Sequence, residues 1–273
     1  MTTPTDTTSN QYPPLPGADA PPLKAWSERD GALLRLRLAR PKANLIDVAM
    51  TEAIDAALAA HSHSRHLRAV LLDHEGPNFS FGASIPEHMP EPCPAMLRGM
   101  HNMVRRLVEF PLPILVAIRG WCLGGGLELA CAGHLLFAAP DAKLGQPEIK
   151  LAVFAPAASC LLPERIGQAK ADEMLLSGEP MTAAQALACG LINHLADDPE
   201  VAALQWFDSH LAHHSASALR RATLASRRDY AARIGAKLDW VEKYYIDDLM
   251  ALDDPIEGLK AFMEKRKPHW RDN

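Results

Sequence analysis

The run "IRGWCLGGGLELA" spans residues 118–130 and sets three consecutive glycines, Gly124 to Gly126, just ahead of a lone carboxylate, Glu128. The residues before it, "PILVAI" (113–118), are continuously apolar and read as a buried strand. The residues after the glycines read as a helix. A strand that passes through tight glycine backbone into a helix leaves free N–H groups at the helix start, with the positive end of the dipole behind them. Glycine lets another group approach that backbone closely. No GK[ST] follows, so this is not a P-loop, and GxGxxG is absent, so it is not a dinucleotide fingerprint. What remains is a site that favours anionic oxygen.

Outward from this stretch, strands and helices alternate. "LKAWSERDGALLRLRLAR" (23–40) has period two around Asp30-Gly31, a hairpin signal. Asp47 is placed to cap a helix running to about His61. "AVLLDHEG" (69–76) reads as a strand, and a helix follows from about 95 to 109. "HLLFAAP" and "KLGQPEI" read as two short strands. From about 157 helical patterns dominate, broken by the strand "GLINHL", and 200–266 looks almost wholly helical. The alternation argues for an α/β core. The division expected is a Thr- and Pro-rich disordered tail (1–22), an α/β core (23–200) and a helical region (201–273).

The bulk numbers exclude several classes. With 273 residues and 48% hydrophobic residues the chain can fill a sizeable core. Its formal net charge of -5 gives no footprint for nucleic acid or an anionic membrane. The densest basic stretch, "LRRATLASRR" (219–228), reads as a solvated helix whose arginines pair with acidic neighbours; RNA binding is the alternative. No apolar run is long enough to span a bilayer, and the N-terminus lacks a signal pattern. Five widely spaced cysteines with no CxxC pair suggest reduced, buried thiols in a cytoplasmic protein. The histidines of "HSHSRH" (61–66), and His210, His213 and His214, read as a polar turn and a solvated helix face; no metal is expected.

Two further segments carry chemistry. "LGQPEIKLAVFAPAAS" (144–159) holds a second acid in an apolar setting, Glu148. Lone carboxylates in such settings are costly unless paired or functional, and burial raises their pKa toward neutrality, which suits proton transfer. "NFSFGASIPEH" (78–88) offers small-residue backbone at Gly82-Ala83, and Ser84 with Glu87 matches a capping box.

Together, "GWCLGGGLELA", the following "KLGQPEI" and the Gly82-Ala83 loop resemble the crotonase (enoyl-CoA hydratase/isomerase) family. The resemblance runs from about Arg40 to the C-terminus. It implies a spiral of β-β-α turns with a C-terminal helical trimerisation region, often a dimer of trimers. It implies an oxyanion hole from the Ala83 and Gly125 N–H groups, and acid/base glutamates at Glu128 and Glu148. Lys42, Ala43, Phe81, Ser84 and Ile85 match coenzyme A segments; Phe262 and Lys265 match positions that reach coenzyme A, often from a neighbouring subunit. Trp121, Phe154 and Pro156 fall in the substrate pocket. The implied activity is hydration of a conjugated acyl-CoA thioester through an enolate, with no cofactor beyond the coenzyme A of the substrate, and with no nucleic-acid or membrane partner.

The sequence also departs from the family pattern. Ser84 stands where many members have Asp, Pro86 replaces a common Lys, and Phe81 replaces a small residue. Pro156 falls where many hydratases have a glycine whose N–H faces the active site, and proline has no N–H. The stiff apolar wall Phe154–Ala157 suits a compact flat ring better than a flexible chain. The combination of "PKANLID" (41–47), "SFGAS" (80–84) and "VFAPAAS" (153–159) resembles the family members that hydrate cyclic dienoyl-CoA thioesters in anaerobic benzoyl-CoA breakdown, and that resemblance implies a cyclic dienoyl-CoA substrate; the alternative is a general 2-enoyl-CoA.

Overall fold

Residue parity sorts the apolar runs of the main sheet onto two faces. In β2 (Leu33–Leu38), Leu34, Leu36 and Leu38 enter one core and Leu33 the other. In β3 (Ala69–His74), Val70 and Leu72 oppose Ala69 and Leu71; in β4 (Ile114–Ile118), Ile114, Val116 and Ile118 oppose Leu115 and Ala117. Both faces are covered, so β3 and β4 read as largely continuous apolar runs, whereas β2 alternates leucines with Arg35 and Arg37. This is a computed structural model, and it describes residues 21–40 and 42–273. The tail expected at 1–22 lies, through residue 20, outside the described residues.

The main sheet has the order β1-β2-β3-β4-β6-β9, with β1 (Leu23–Glu28), β6 (Leu135–Ala138) and β9 (His194–Leu195) completing it. Only the β1–β2 hairpin is antiparallel, and its turn holds Arg29, Asp30 and Gly31 at positive φ. A second sheet has the order β5-β7-β8: Trp121–Leu123, Lys143–Gly145 and Met181–Thr182. The chain visits the two sheets in turn and then adds a helix. Thus β4 and β5 lead into α3 (Gly125–Ala132), and β6 and β7 lead to α4 (Pro156–Ile166), which is followed by α5 (Gln168–Ser177) and α6 (Ala183–Ala188). The preceding turn runs from β3 through Ser80, which bridges Cys122 of β5, into α2 (Cys93–Glu109). This is the β-β-α spiral of a crotonase fold.

Helix α1 (Val48–His61) begins where Asp47 accepts from the Met50 N–H at 2.8 Å. It packs with α2, α3 and α4 on one face of the main sheet, while α7 (Pro199–His210) covers the other with Ala203 and Phe207. The long α8 (Ala216–Lys243) lies on α2 and α4, continues through a π-turn at Tyr244–Asp248, and leads to α9 (Asp253–Met263). Cys93, Cys122, Cys131 and Cys160 are buried free thiols; Cys189 is half-buried.

Three local expectations change. Ser84 makes no side-chain cap; Glu87 reaches instead to the Val48 N–H at 3.3 Å, so the acid serves the start of α1 rather than its own 3-10 turn, Ile85–His88. "KLGQPEI" is strand only through Gly145, because Pro147 cannot continue a ladder and Glu148–Leu151 coils into a 3-10 turn. Arg220, Arg221 and Arg227 of 219–228 turn to backbone carbonyls rather than acids. Arg220 donates to Ser62 O and Ser64 O, and Arg227 to Val108 O and Ala132 O, where helix ends leave carbonyls unpaired.

Candidate active site

The glycine run positions two N–H groups by letting two segments of backbone touch. Gly82 has φ +103°, and a Cβ there would lie 3.2 Å from Leu123 O and 3.5 Å from Gly125 N. A Cβ on Gly125 would lie 3.2 Å from Ala83 N. Only glycine permits this approach. The 78–83 loop is stitched on both sides: Ser80 N–H donates to Trp121 O and Leu123 N–H to Ser80 O, each at 3.0 Å, while Phe81 N–H donates to Ala43 O and Ile46 N–H to Gly82 O, each at 2.9 Å. Gly125 is the first residue of α3, so its N–H has no acceptor within the helix. Neither it nor the Ala83 N–H donates to a protein acceptor among the described residues. Two preorganised donors therefore stand side by side at a helix start.

The carboxylates arrive from two directions. Glu128 is in the first turn of α3 and is buried. The Ala158 N–H donates to its Oε1 at 2.8 Å. Pro156 is the first residue of α4, where a missing N–H costs nothing to the helix, and Ala158 is in the same first turn. Burial raises the Glu128 pKa; the Ala158 N–H, His101 and the Ala157 N–H oppose the rise. Glu148 opens the 3-10 turn after β7. Its Oε1 sits so close to Gly124 that a Cβ there would lie 2.6 Å away. With its amide turned to face the acid, Gln146 donates to both carboxylate oxygens of Glu148 at 3.0 Å. Burial first, and then the neighbouring Glu128, push Glu148 up to about 8.

The structure thus brings Ala83, Gly125, Glu148 and Glu128 into one place, and joins Pro156 to it through α4. Phe154 packs against Tyr245 at 5.1 Å and Tyr244 at 5.8 Å between ring centroids. Trp121 shares with Leu123 the face of β5 opposite buried Cys122, and is 38% exposed. Lys42, at φ +90°, and Ala43 flank the loop that holds Phe81; Ser84 is buried and Ile85 half-buried beyond it. Phe262 and Lys265 are exposed at the end of α9, which packs on the 85–88 and 148–151 turns. Sequence reading missed Gln146, His101 and Tyr245. A glutamine beside a reactive acid was a usable signal; the other two come close only through tertiary packing. No group of three metal-ligating side chains forms among the described residues, and no helix there is long and apolar enough to cross a membrane.

A family model for enoyl-CoA hydratase/isomerase matches residues 28–273. The chain is 61% identical over 251 residues to cyclohexa-1,5-dienecarbonyl-CoA hydratase of Thauera aromatica, covering 92% of this chain and 97% of that protein. It is 29% identical over 254 residues to carnitinyl-CoA dehydratase of Salmonella arizonae, covering 89% and 96%. A crystal structure of an enoyl-CoA hydratase from Mycobacterium avium subsp. paratuberculosis matches with a TM-score of 0.80 at 24% identity, covering 92% of this chain and 99% of that one, a likeness of fold.

Proposed function

The chain belongs to the enoyl-CoA hydratase/isomerase family, and on that premise we propose that it is a hydro-lyase adding water to a cyclic conjugated dienoyl-CoA thioester. One observation carries the chemistry: the Glu148 carboxyl abuts Gly124, one residue from the free N–H of Gly125. A thioester oxygen accepting from Ala83 and Gly125 brings its conjugated carbons next to that acid. The 61% identity to the Thauera enzyme supports the ring as substrate.

The roles divide by environment. Burial raises Glu128, but the Ala158 N–H at 2.8 Å, with the α4 dipole behind it, opposes that rise, whereas Glu148 is raised by burial and again by Glu128; on that contrast Glu128 is assigned as the base that takes a proton from water. Glu148, raised to about 8, holds its proton at neutrality and delivers it to carbon. As the water oxygen bonds to the ring carbon β to the carbonyl, charge moves to the thioester oxygen. The two N–H donors meet that charge where it develops, each worth about 3–4 kcal/mol. Lys42, Ala43, Phe81, Ser84, Ile85, Phe262 and Lys265 are assigned to coenzyme A, with Phe262 and Lys265 reaching a neighbouring subunit in a trimer or dimer of trimers. Trp121, Phe154 and Pro156 are assigned to the acyl pocket. None of these steps calls for a cofactor. The reaction belongs with the breakdown of reduced aromatic rings.

The test is to offer purified protein cyclohexa-1,5-diene-1-carbonyl-CoA and crotonyl-CoA, and to follow loss of conjugated absorbance. Turnover of the cyclic thioester is expected. Turnover of crotonyl-CoA alone assigns the chain to open-chain substrates, and turnover of neither removes the hydratase reading.

A further inference from the structure

Behind Phe154, whose ring it meets at 5.1 Å between centroids, lies a buried polar group that no step above uses. Tyr245 is fully buried, yet its hydroxyl has no hydrogen-bond partner among the described residues. Leaving such a group unpaired carries a desolvation penalty, so each instance calls for an explanation. Tyr245 is carried on the π-turn that ends α8, and such turns are frequent at functional sites. Its ring packs among Cys93, Met96 and Leu97 of α2 and Val153. Val153 N–H donates to Glu148 O at 3.4 Å, so Tyr245 borders the segment that carries the acid. Glu242, three residues earlier, accepts from His101 Nδ1 at 2.7 Å. That bond pins the end of α8 to the face of α2 that holds Leu97, one turn before His101, and so fixes where the phenol sits. Burial keeps Tyr245 protonated, and Cys93, Glu148 and Glu128 add to the effect.

Hydration has a need that this group meets. An attacking water uses one lone pair on carbon and gives a proton to Glu128. Its second lone pair wants a donor. Glu148 spends its proton on carbon. The first turn of α4 is the adjacent source of amides, but Pro156 has no N–H and Ala158 donates to Glu128. We propose that Tyr245 is a further catalytic residue, whose hydroxyl donates to the oxygen that is added to the acyl group and takes the place of the N–H that Pro156 lacks. The balance is simple: the O–H bond to Glu128 forms as the C–O bond forms, Glu148 loses its proton to carbon, and Tyr245 keeps its own. The inference rests on the hydratase reading above.

Tyr245→Phe tests it, because the ring stays and only the unpaired oxygen goes. The expected result with cyclohexa-1,5-diene-1-carbonyl-CoA is a fall in kcat of about 10–100-fold, with KM nearly unchanged and Tm equal or higher. The wild type should also bind the hydroxylated product thioester more tightly than the same thioester without the hydroxyl, and Tyr245→Phe should lose that preference. Wild-type turnover with an equally active Tyr245→Phe overturns the role of Tyr245 while leaving the hydratase reading intact. A fall in activity matched by a fall in Tm, or a wild type that does not prefer the hydroxylated thioester, overturns it as well. No turnover by the wild type sinks the hydratase reading itself.

Discussion

Gly124 shows how closely the site is built. Its φ of +50°, with ψ of -129°, is a conformation that side chains avoid, and a Cβ would lie 2.6 Å from Glu148 Oε1. Gly124→Ala is therefore expected to cost about 1–3 kcal/mol in backbone strain. It should also displace the acid enough to lower kcat about 100-fold; steady-state kinetics and a thermal melt on the same sample check both. Glu148 makes a pH prediction. Its folded-state pKa of about 8 lies above the ordinary 4.5, so between those values the folded chain holds a proton that the unfolded chain has lost. Stability contributed by this group then falls as pH rises through that window. Glu148→Gln, which cannot ionise, should gain stability relative to wild type from about pH 5 to about pH 9. Wild-type hydration should decline as pH rises through about 8, where the acid form is lost, and Glu148→Gln should be inactive at every pH. A stability advantage over wild type that does not grow between about pH 5 and about pH 9 would mean that the carboxyl is not held neutral. Both acids and the glycine run were legible as residues, because glycines and lone carboxylates inside apolar runs are anomalies that demand a reason; the pairing of the Ala83 and Gly125 N–H groups came from the resemblance to the family. The partners of the acids were not legible, since Ala158 lies 30 positions from Glu128 and nothing in a neutral alanine marks its amide as a donor.

At the scale of elements, the hairpin, α1, α2, α3 and the strands of the main sheet were readable from periodicity and caps. Strands β5 and β8 were not, because runs of three and two residues have no period to detect. The Ser84–Glu87 box failed because a local pattern was outcompeted by the start of α1. The same limit hid the ionic cluster that ties α7 to the sheet. Asp73 is 2% exposed and accepts from Arg37 Nε at 2.7 Å and from Arg35, and both arginines also donate to Glu200, at 2.7 and 2.8 Å. In sequence, Arg35 and Arg37 look like the solvent side of a strand; in the fold, α7 closes over them. Removing one partner of a buried ion pair strands the other charge. Asp73→Ala should therefore lose about 3–5 kcal/mol in chemical denaturation. Asp47→Ala, which removes only a helix cap and the partner of Arg40, should lose about 1–2 kcal/mol. Equal losses would mean that Arg35 finds another partner when Asp73 is gone.

The whole molecule leaves apolar surface in its helical region. Trp240 is 64% exposed and stacks on Tyr244, itself 45% exposed, at 4.9 Å between centroids. Phe262 and Trp270 are 57% and 44% exposed. Single exposed apolar residues need no explanation, but stacked aromatics on one helix end are costly to leave in water and are typical of surfaces that meet a partner. Tyr244 also touches Phe154, which is proposed to line the acyl pocket, and adjoins Tyr245, so a subunit seated on this patch would brace that wall. The trimer or dimer of trimers remains a proposal, and this patch is the surface offered for its subunit contact. Light scattering is expected to give a mass three or six times the 29.8 kDa of the chain. Because Trp240 is largely exposed, Trp240→Glu should alter the stability of the monomer by less than about 0.5 kcal/mol, yet lower the assembled mass. If assembly braces the pocket, the dissociated variant should also lose hydration activity that returns as protein concentration is raised. A variant of full mass and full activity would place the subunit contact elsewhere, and a wild type that stays monomeric at micromolar concentration would remove the oligomer altogether.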